Sequence, residues 1–206
     1  MTTPTVFYVA DPMCSWCWGF KPVLDEVRTA LPKDIPLVYV MGGLAKDSDE
    51  PMLEETRQYV QMNWRQVTEE AGATFNWDFW TNCQPRRSTY PACRAVLAAS
   101  AQQENSVPEM FEAIQRAYYQ EARNPSENAT LVALADEIGL DKRRFEDDLT
   151  SEVTESLLQE DFNLRRSLTV REFPSLVLKH DTTQTWIVKG YANSETTLSR
   201  LADALA

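Results

Sequence analysis

Two cysteines, Cys14 and Cys17, stand two residues apart, directly after a short apolar segment and before a helical pattern. Residues 5–10 are rich in β-branched and aromatic side chains and predict a strand. A helix N-terminus carries partial positive charge, which favours a thiolate on the first cysteine. The second cysteine, one turn further on, can attack the first sulfur. The pattern therefore predicts a redox-active pair, with Cys14 as the nucleophile and Cys17 as the resolving thiol.

The other two cysteines leave alternatives open. A structural zinc site would combine the first pair with Cys83 and Cys93, but the nine residues between these two do not suit the second half of a zinc ribbon. Cys93 lies in an apolar helical pattern, as a small buried hydrophobe would. Cys83 lies in a loop, where it is free to be exposed. The sharper alternative is a second redox pair of Cys83 and Cys93 that exchanges electrons with the first, although spacing alone does not give the distance a disulfide needs.

The elements that must position these thiols follow a simple order. A strand at 5–10, a helix from the motif to about residue 31 and a strand at 37–41 form a β-α-β unit with parallel strands. The pattern from 44 to 167 is helical, apart from a loop at 75–87. Strands at 175–179 and 185–189 then flank a polar turn, and residues 194–205 form an amphipathic helix. The sequence thus predicts an α/β fold with the order β-α-β, a helical block, then β-β-α.

Capping signals predict individual helices within the helical block. Ser106 and Glu109 have the spacing of a capping box and are expected to open one helix. Ser151 is expected to begin the last helix of the block, with Val153 on its apolar stripe.

The composition limits the partners. Of 206 residues, 20 are basic and 31 acidic, which gives a formal net charge of −11. Nucleic acid and anionic membranes are poor partners, because both need clustered Lys and Arg. No apolar run approaches the roughly 18 residues of a membrane span, and no glycine-rich nucleotide loop is present. The N-terminal residues show no secretory leader pattern, so the cytoplasm is the expected compartment.

Two segments resemble the DsbA family of thiol–disulfide oxidoreductases. Residues 11–20 read Asp-Pro-Met-Cys-Ser-Trp-Cys-Trp-Gly-Phe, a form similar to the FrnE-like branch of that family, and residues 170–178 contain Phe173 and Pro174. The resemblance implies a thioredoxin-like fold (β-α-β / β-β-α) with a large all-helical insertion. It implies a thioredoxin-like domain from residues 1–43 and 168–206, and a helical insertion domain from residues 44–167.

The same resemblance implies further site residues. Pro174 is expected to follow a cis peptide bond after Phe173 and to face Cys14, where neighbouring backbone can pair with an extended substrate. Ser15 and Trp16 are expected to help position substrate, with Trp16 exposed. The implied activity is that of an oxidoreductase or isomerase acting on protein, peptide or small-molecule disulfides. Glutathione or a thioredoxin-like protein would be the reductant, without an organic cofactor or a metal, because the cysteines carry the electrons.

Three residues depart from the usual pattern of the family. Glu172 stands where a glycine usually precedes the Phe-Pro pair and puts a carboxylate near the substrate groove. Tyr8 stands six positions before Cys14, where several relatives have an acid that relays protons, so the relay is absent or supplied elsewhere. Trp16 stands in place of the histidine that stabilises the thiolate in strong oxidants. We therefore expect a less depressed pKa for Cys14 than in those oxidants, and a more reducing or isomerase-like poise.

Two other functions stay open from the sequence. Kappa-class glutathione transferases and 2-hydroxychromene-2-carboxylate isomerases share the implied fold and bind glutathione, but have a serine where Cys14 stands. A non-catalytic thioredoxin-fold binding module would not depend on Cys17. The sequence does not define an oligomeric state.

Overall fold

A mixed four-stranded sheet frames the molecule. The computed structural model describes residues 3–103 and 105–206. Its strands are β1 (Thr5–Ala10), β2 (Leu37–Met41), β3 (Ser175–His180) and β4 (Thr183–Lys189). The strand order is β2-β1-β3-β4, with β1 parallel to β2, β1 antiparallel to β3 and β3 antiparallel to β4. This topology confirms the predicted α/β, thioredoxin-like sheet.

Most of the helices fall where the sequence predicts them. Two helices connect β1 to β2, namely α1 (Ser15–Gly19) and α2 (Lys21–Ala30). The insertion between β2 and β3 contains α3 (Glu54–Ala71), α4 (Phe79–Asn82), α5 (Tyr90–Ser100), α6 (Ser106–Tyr119), α7 (Asn128–Glu137), α8 (Lys142–Leu149) and α9 (Glu152–Ser167). The final helix, α10 (Ser194–Leu205), follows β4. The predicted large helical insertion is therefore confirmed.

The helix after the cysteine motif is broken, although the sequence predicted a continuous one. α1 ends at Gly19 and α2 begins at Lys21, with the fully buried Phe20 between them. Pro22 has no backbone N–H, so a continuous helix would lack the hydrogen bond to the Trp18 carbonyl. The break leaves the motif on a short helix of five residues.

Two predictions of local structure in the insertion are wrong. The segment at 75–87 is not entirely a loop, because two buried aromatic residues fold into α4. Ser106 does not cap α6 but lies in its first turn, where its hydroxyl donates to the carbonyls of Ala99 at 2.8 Å and Gln103 at 2.6 Å. The serine therefore ties the start of α6 to the end of α5.

The last helix of the insertion has the predicted cap but a different buried face. The Ser151 hydroxyl accepts a hydrogen bond from the Thr154 N–H at 3.1 Å, as expected for an N-cap. The buried stripe, however, is Thr154, Leu158 and Phe162, and Val153 is 69% exposed. The Phe162 ring packs 4.9 Å from that of Tyr90 on α5, which selects this face.

One apolar core joins the sheet to the insertion. Its buried cluster contains Tyr8 and Leu176 from the sheet, Phe20 at the start of α2, and Trp64 and Ile114 from the insertion. Burial of apolar surface stabilises by roughly 25 cal/mol per Å². The predicted boundaries at 43/44 and 167/168 fall between elements and stay a prediction, but each part covers apolar surface of the other.

The short helix α1 packs closely against α3 of the insertion. A Cβ atom on Gly19 would lie 2.7 Å from Val67 Cγ1 and 3.0 Å from Ala71 Cβ, both on α3. Such separations are too short for a real side chain, so α1 and α3 pack backbone against side chain at this glycine.

Two glycines after β2 accommodate aromatic rings from later elements. A Cβ atom on Gly42 would lie 2.5 Å from the Phe173 ring, and one on Gly43 would lie 2.3 Å from the Phe162 ring. Gly43 also has a φ of 65°, in the left-handed region that glycine adopts readily. The glycines therefore let α9 and the segment before β3 pack against the end of β2.

Gly43→Ala is expected to destabilise the protein strongly. The left-handed backbone costs roughly 1–2 kcal/mol for a non-glycine residue, and overpacking against Phe162 adds about 1–3 kcal/mol. Gly72→Ala is the matched control, because Gly72 has a φ of 69° but no atom within 4 Å of the added Cβ. Urea denaturation of both variants measures the difference, and equal losses of unfolding free energy would contradict the packing argument.

Candidate active site

The turn before α1 places Cys14 at the N-cap of that helix. The Cys14 N–H donates to the Asp11 carbonyl at 3.0 Å, and the Cys14 carbonyl accepts from the Trp18 N–H at 3.1 Å. Cys14 is 6% exposed and Cys17 is 1% exposed. The first sulfur therefore lies at the positive end of the helix, and the second is more deeply buried.

The two thiols differ in acidity. A hydrogen bond from the Cys17 side chain is the main cause that lowers the pKa of Cys14; burial opposes it, and the N–H groups of Cys17 and Trp16 assist it. Burial raises the pKa of Cys17 well above its ordinary value. A Cys14 thiolate beside a Cys17 thiol is the state that this arrangement favours. The roles of nucleophile and resolving thiol stay predictions.

A cis-proline loop lies beside Cys14. The Phe173–Pro174 peptide bond is cis, as the resemblance predicted. The Phe173 carbonyl oxygen is 3.8 Å from Cys14 Sγ, within hydrogen-bonding reach of the thiol. The Ser175 hydroxyl donates to the Glu172 carbonyl at 2.7 Å and holds the loop at the start of β3. The structure thus brings the two motifs of the sequence together.

Trp16, between the two cysteines, is less exposed than the sequence predicted. Ser15 is buried, and Trp16, expected to be exposed, is half-buried with its ring 5.5 Å from that of Tyr191. The reason is the proximity of α1 to the loop after β4, which covers one side of the indole. Trp18 is half-buried and stacks 5.6 Å from Tyr119, on the insertion side.

A groove of about 560 Å³ opens next to Cys14. Apolar side chains from both parts of the chain line it, among them Trp16, Leu44, Tyr59 and Tyr191. Charged side chains at its wall are Arg87, Arg171, Lys189, Glu70 and Glu172. Glu172 therefore lies where the sequence placed it, in a groove wall that carries three cationic and two acidic side chains.

Tyr8 lies behind the thiols, where several relatives have an acid. It is fully buried. Burial, with the nearby Cys17, raises the pKa of Tyr8 well above its ordinary value. The phenol is therefore neutral at physiological pH and cannot act as the relay base.

Asp11 is the buried carboxylate that sequence reasoning missed. Its Oδ1 accepts from the Met13 N–H at 2.8 Å, and its Oδ2 accepts from the Leu44 N–H at 2.7 Å. Oδ2 also accepts from the Thr89 hydroxyl at 2.6 Å and lies 3.6 Å from the Cys93 sulfur. Burial raises the pKa of Asp11, and the hydrogen bonds oppose this rise. The available signal was an Asp directly after a buried strand, a position that commonly caps backbone N–H groups two residues on.

The structure does not bring Cys83 and Cys93 together. All four cysteines are free thiols. The Cys83 sulfur lies 3.1 Å from the Ala122 carbonyl oxygen, whereas the fully buried Cys93 has Asp11 as its partner. Nothing in this geometry supports a second redox pair, and Cys93 occupies the buried position expected of it.

No group of three or more His, Cys, Asp or Glu side chains in residues 3–103 and 105–206 is arranged to hold a metal ion. Over the same ranges, none of the helices has the length and apolar character needed to cross a bilayer.

The sheet, the C-x-x-C motif at the start of a helix and the cis-proline loop define a thioredoxin-fold protein. The family model described as thioredoxin matches residues 7–197, and the chain belongs to this family. Its fold is that of DsbA-type oxidoreductases with a helical insertion. The narrower FrnE-like assignment stays a prediction.

Several solved structures are similar over nearly their whole length. A candidate protein disulfide isomerase from Nitrosomonas europaea has a TM-score of 0.88 and is 29% identical, covering 99% of this chain and 98% of its own. The cytosolic disulfide reductase DsbM from Pseudomonas aeruginosa has a TM-score of 0.79 and is 23% identical, covering 98% of each chain, and it is also known with GSH. A 2-hydroxychromene-2-carboxylate isomerase shares the fold at a TM-score of 0.64, 14% identity and coverage of 98% of this chain and 94% of its own.

Curated relatives include the ClpXP adapter protein SpxH. The Halalkalibacterium halodurans protein is 22% identical over 180 residues, and the Bacillus subtilis protein is 23% identical over 176 residues. These matches cover 85% and 83% of this chain but 58% and 56% of the relatives. The chain therefore spans a little over half the length of these relatives.

Cys17→Ala is expected to make Cys14 less reactive at neutral pH, because it removes the hydrogen bond that contributes most to lowering the Cys14 pKa. Hydrogen bonds to charged groups contribute roughly 1.5–3 kcal/mol, so alkylation of Cys14 at pH 7 should slow about tenfold. Cys17→Ser is the matched control, since its hydroxyl still donates. Mass spectrometry of the Cys14 peptide follows the reaction, and a wild-type rate in Cys17→Ala would disprove the assignment.

Proposed function

We propose that this protein catalyses thiol–disulfide exchange through Cys14 and Cys17. The observation that carries the proposal is the acidified Cys14, at the N-cap of α1 and 3.8 Å from the Phe173 carbonyl of the cis-proline loop. The groove beside it, with Ser15, Trp16 and Phe173 in its wall, gives a disulfide-bearing substrate access to the sulfur. In this proposal these residues, with the buried Pro174 next to them, position the substrate chain.

In the proposed reaction, the Cys14 thiolate attacks one sulfur of a substrate disulfide. A mixed disulfide forms, and the other substrate sulfur leaves as a thiolate that takes up a proton. Cys17 then loses its proton and attacks the Cys14 sulfur, which releases the second substrate thiol and leaves a Cys14–Cys17 disulfide. Two electrons thus pass to the substrate; run in reverse, the same steps oxidise substrate thiols. The chemistry needs neither an organic cofactor nor a metal.

Glutathione is the small-molecule partner that we propose, alongside protein or peptide disulfides. Two molecules of glutathione can reduce the Cys14–Cys17 disulfide and become oxidised glutathione, as a thioredoxin-like protein could in their place. The mixture of Arg171, Lys189 and Glu172 at the groove suits a peptide with carboxylates and an amine. The structure of DsbM with GSH, a protein of the same fold, supports this choice. The abundance of glutathione in the cytoplasm fits the expected compartment.

We propose a reducing or isomerase-like poise. Trp16 brings no positive charge to the thiols, and the buried Asp11 carboxylate raises the pKa of both. Negative charge near the thiols destabilises the Cys14 thiolate and hence the reduced form of the pair, which makes the couple more reducing. The acidic net charge of the chain acts in the same direction.

A binding module is the second candidate, and the similarity to the SpxH adapters favours it. In that case the thioredoxin fold presents a surface to a partner protein, and its function is indifferent to the loss of Cys17. The isomerase and transferase alternative shares the fold alone, and the cysteine at position 14 counts against it.

The mixed disulfide offers a direct test. Cys17→Ala incubated with oxidised glutathione is expected to accumulate one glutathione adduct on Cys14, because the resolving thiol is missing, whereas Cys14→Ser should form none. Cys83→Ala is the matched control and should behave as the wild type. Intact-mass measurement shows the adduct, and its absence from both the wild type and Cys17→Ala would favour the binding module.

The poise is measured separately, by equilibrating the wild-type protein in glutathione redox buffers. We expect a reduction potential below roughly −200 mV, far from the approximately −120 mV of a strong oxidant such as DsbA. A value close to that of DsbA would refute the reducing poise while leaving thiol–disulfide exchange intact.

A further inference from the structure

The start of α5 meets the turn that precedes the active-site cysteines. Thr89, the residue before α5, donates its hydroxyl proton to Asp11 Oδ2 at 2.6 Å and accepts from the Ala45 N–H at 3.0 Å. Cys93, in the first turn of α5, places its sulfur 3.6 Å from the same carboxylate oxygen. Two side chains of the insertion therefore act as donors to a carboxylate three residues before Cys14.

The Asp11 side chain is either ionised or protonated. Because it is buried away from water, it takes up a proton unless enough hydrogen-bond donors replace the lost hydration. Here two backbone N–H groups, one hydroxyl and one thiol surround it. In the ionised state its negative charge opposes a thiolate on Cys14 and on Cys17.

We propose that Thr89 and Cys93 hold the Asp11 carboxylate in its ionised state behind the redox thiols and thereby limit the thiolate fraction of Cys14. This inference rests on the proposed function of the Cys14–Cys17 pair. It makes Thr89 and Cys93 positioning residues, which touch neither substrate nor the reacting sulfurs. It also gives the helical insertion a role in setting the direction of exchange.

Other groups around Asp11 are consistent with this assignment. The titratable or charged side chains that bear on it are Arg87, Cys14, Cys17, Cys93, Tyr118 and Tyr119. Arg87 favours the ionised carboxylate. Burial raises the pKa of both tyrosines and of Cys93, so these groups stay neutral and Cys93 stays a donor.

In this arrangement Cys93 acts as a donor to Asp11 and not as one half of a cysteine pair. A buried thiol is a weak hydrogen-bond donor, so its effect on Asp11 is smaller than that of the Thr89 hydroxyl. Removal of either donor should let Asp11 bind a proton more readily. The negative charge behind Cys14 is then lost, and the thiolate becomes more favourable.

The experiment compares Thr89→Val and Cys93→Ala with Thr89→Ser and Cys93→Ser, which keep a donor. Cys83→Ala controls for the loss of a cysteine elsewhere. Two quantities are measured on each full-length protein: the pH profile of Cys14 alkylation, read by mass spectrometry of the Cys14 peptide, and the equilibrium constant of the Cys14–Cys17 couple with glutathione. Circular dichroism and thermal unfolding establish that each variant is folded.

We expect alkylation of Cys14 at pH 6 to quicken by up to about tenfold in Thr89→Val, because a protonated Asp11 no longer repels the Cys14 thiolate. The increase should be smaller, about threefold, in Cys93→Ala, because a thiol is a weaker donor than a hydroxyl. The couple should become more oxidising, with a tenfold change in the equilibrium constant equivalent to about 30 mV. The alkylation rates of the serine variants and of Cys83→Ala should stay within about twofold of the wild-type rate, because these variants keep a donor to Asp11.

The outcomes separate this inference from the proposed function. If the wild-type pair exchanges with glutathione but the folded Thr89→Val and Cys93→Ala keep its profile and potential, only the inference is overturned. A shift of equal size in the serine variants overturns it as well, because a structural disturbance is then the cause. If Thr89→Val does not fold, Cys93→Ala against Cys93→Ser decides. A wild-type pair that exchanges with no disulfide defeats the proposed function itself.

Discussion

The Asp11 carboxylate is shut off from water, and a buried charge must be surrounded by donors or give way to a proton. Its two oxygens receive hydrogen bonds from the turn before α1, the loop after β2 and the start of α5. Three segments that are distant in sequence therefore converge on one side chain. The position of Cys14 depends on this convergence, since the same aspartate accepts the Cys14 N–H through its carbonyl.

The site is built from both halves of the chain. The thioredoxin-like part supplies the cysteine motif, the cis-proline loop and the sheet edge. In the insertion, α3 supplies one wall of the groove, and the start of α5 supplies the side-chain donors to Asp11. Similarity to disulfide reductases and to adapter proteins is compatible with this construction, because the groove wall can vary while the thiols keep their surroundings. The fold alone thus does not decide the substrate.

The sequence predicted the features that depend on short-range pattern. Strand alternation, helix periodicity and the cap at Ser151 predicted nearly every element, and the C-x-x-C motif predicted which cysteines lie at the start of the first helix. The features it missed depend on partners far along the chain. The contact of Asp11 with Thr89, the choice of Phe162 over Val153 on α9 and the cover that Tyr191 gives Trp16 are all tertiary. No local pattern encodes them, because each requires the packing of elements separated by tens of residues.

The missing side chain at Gly19 has a mechanical consequence. A Cβ atom at this position would displace Val67 and Ala71, so the spacing between α3 and the short helix that bears Cys17 depends on the absence of a side chain. The groove wall that α3 contributes, which includes Tyr59, therefore stands at a distance from the cysteine motif that a single glycine sets.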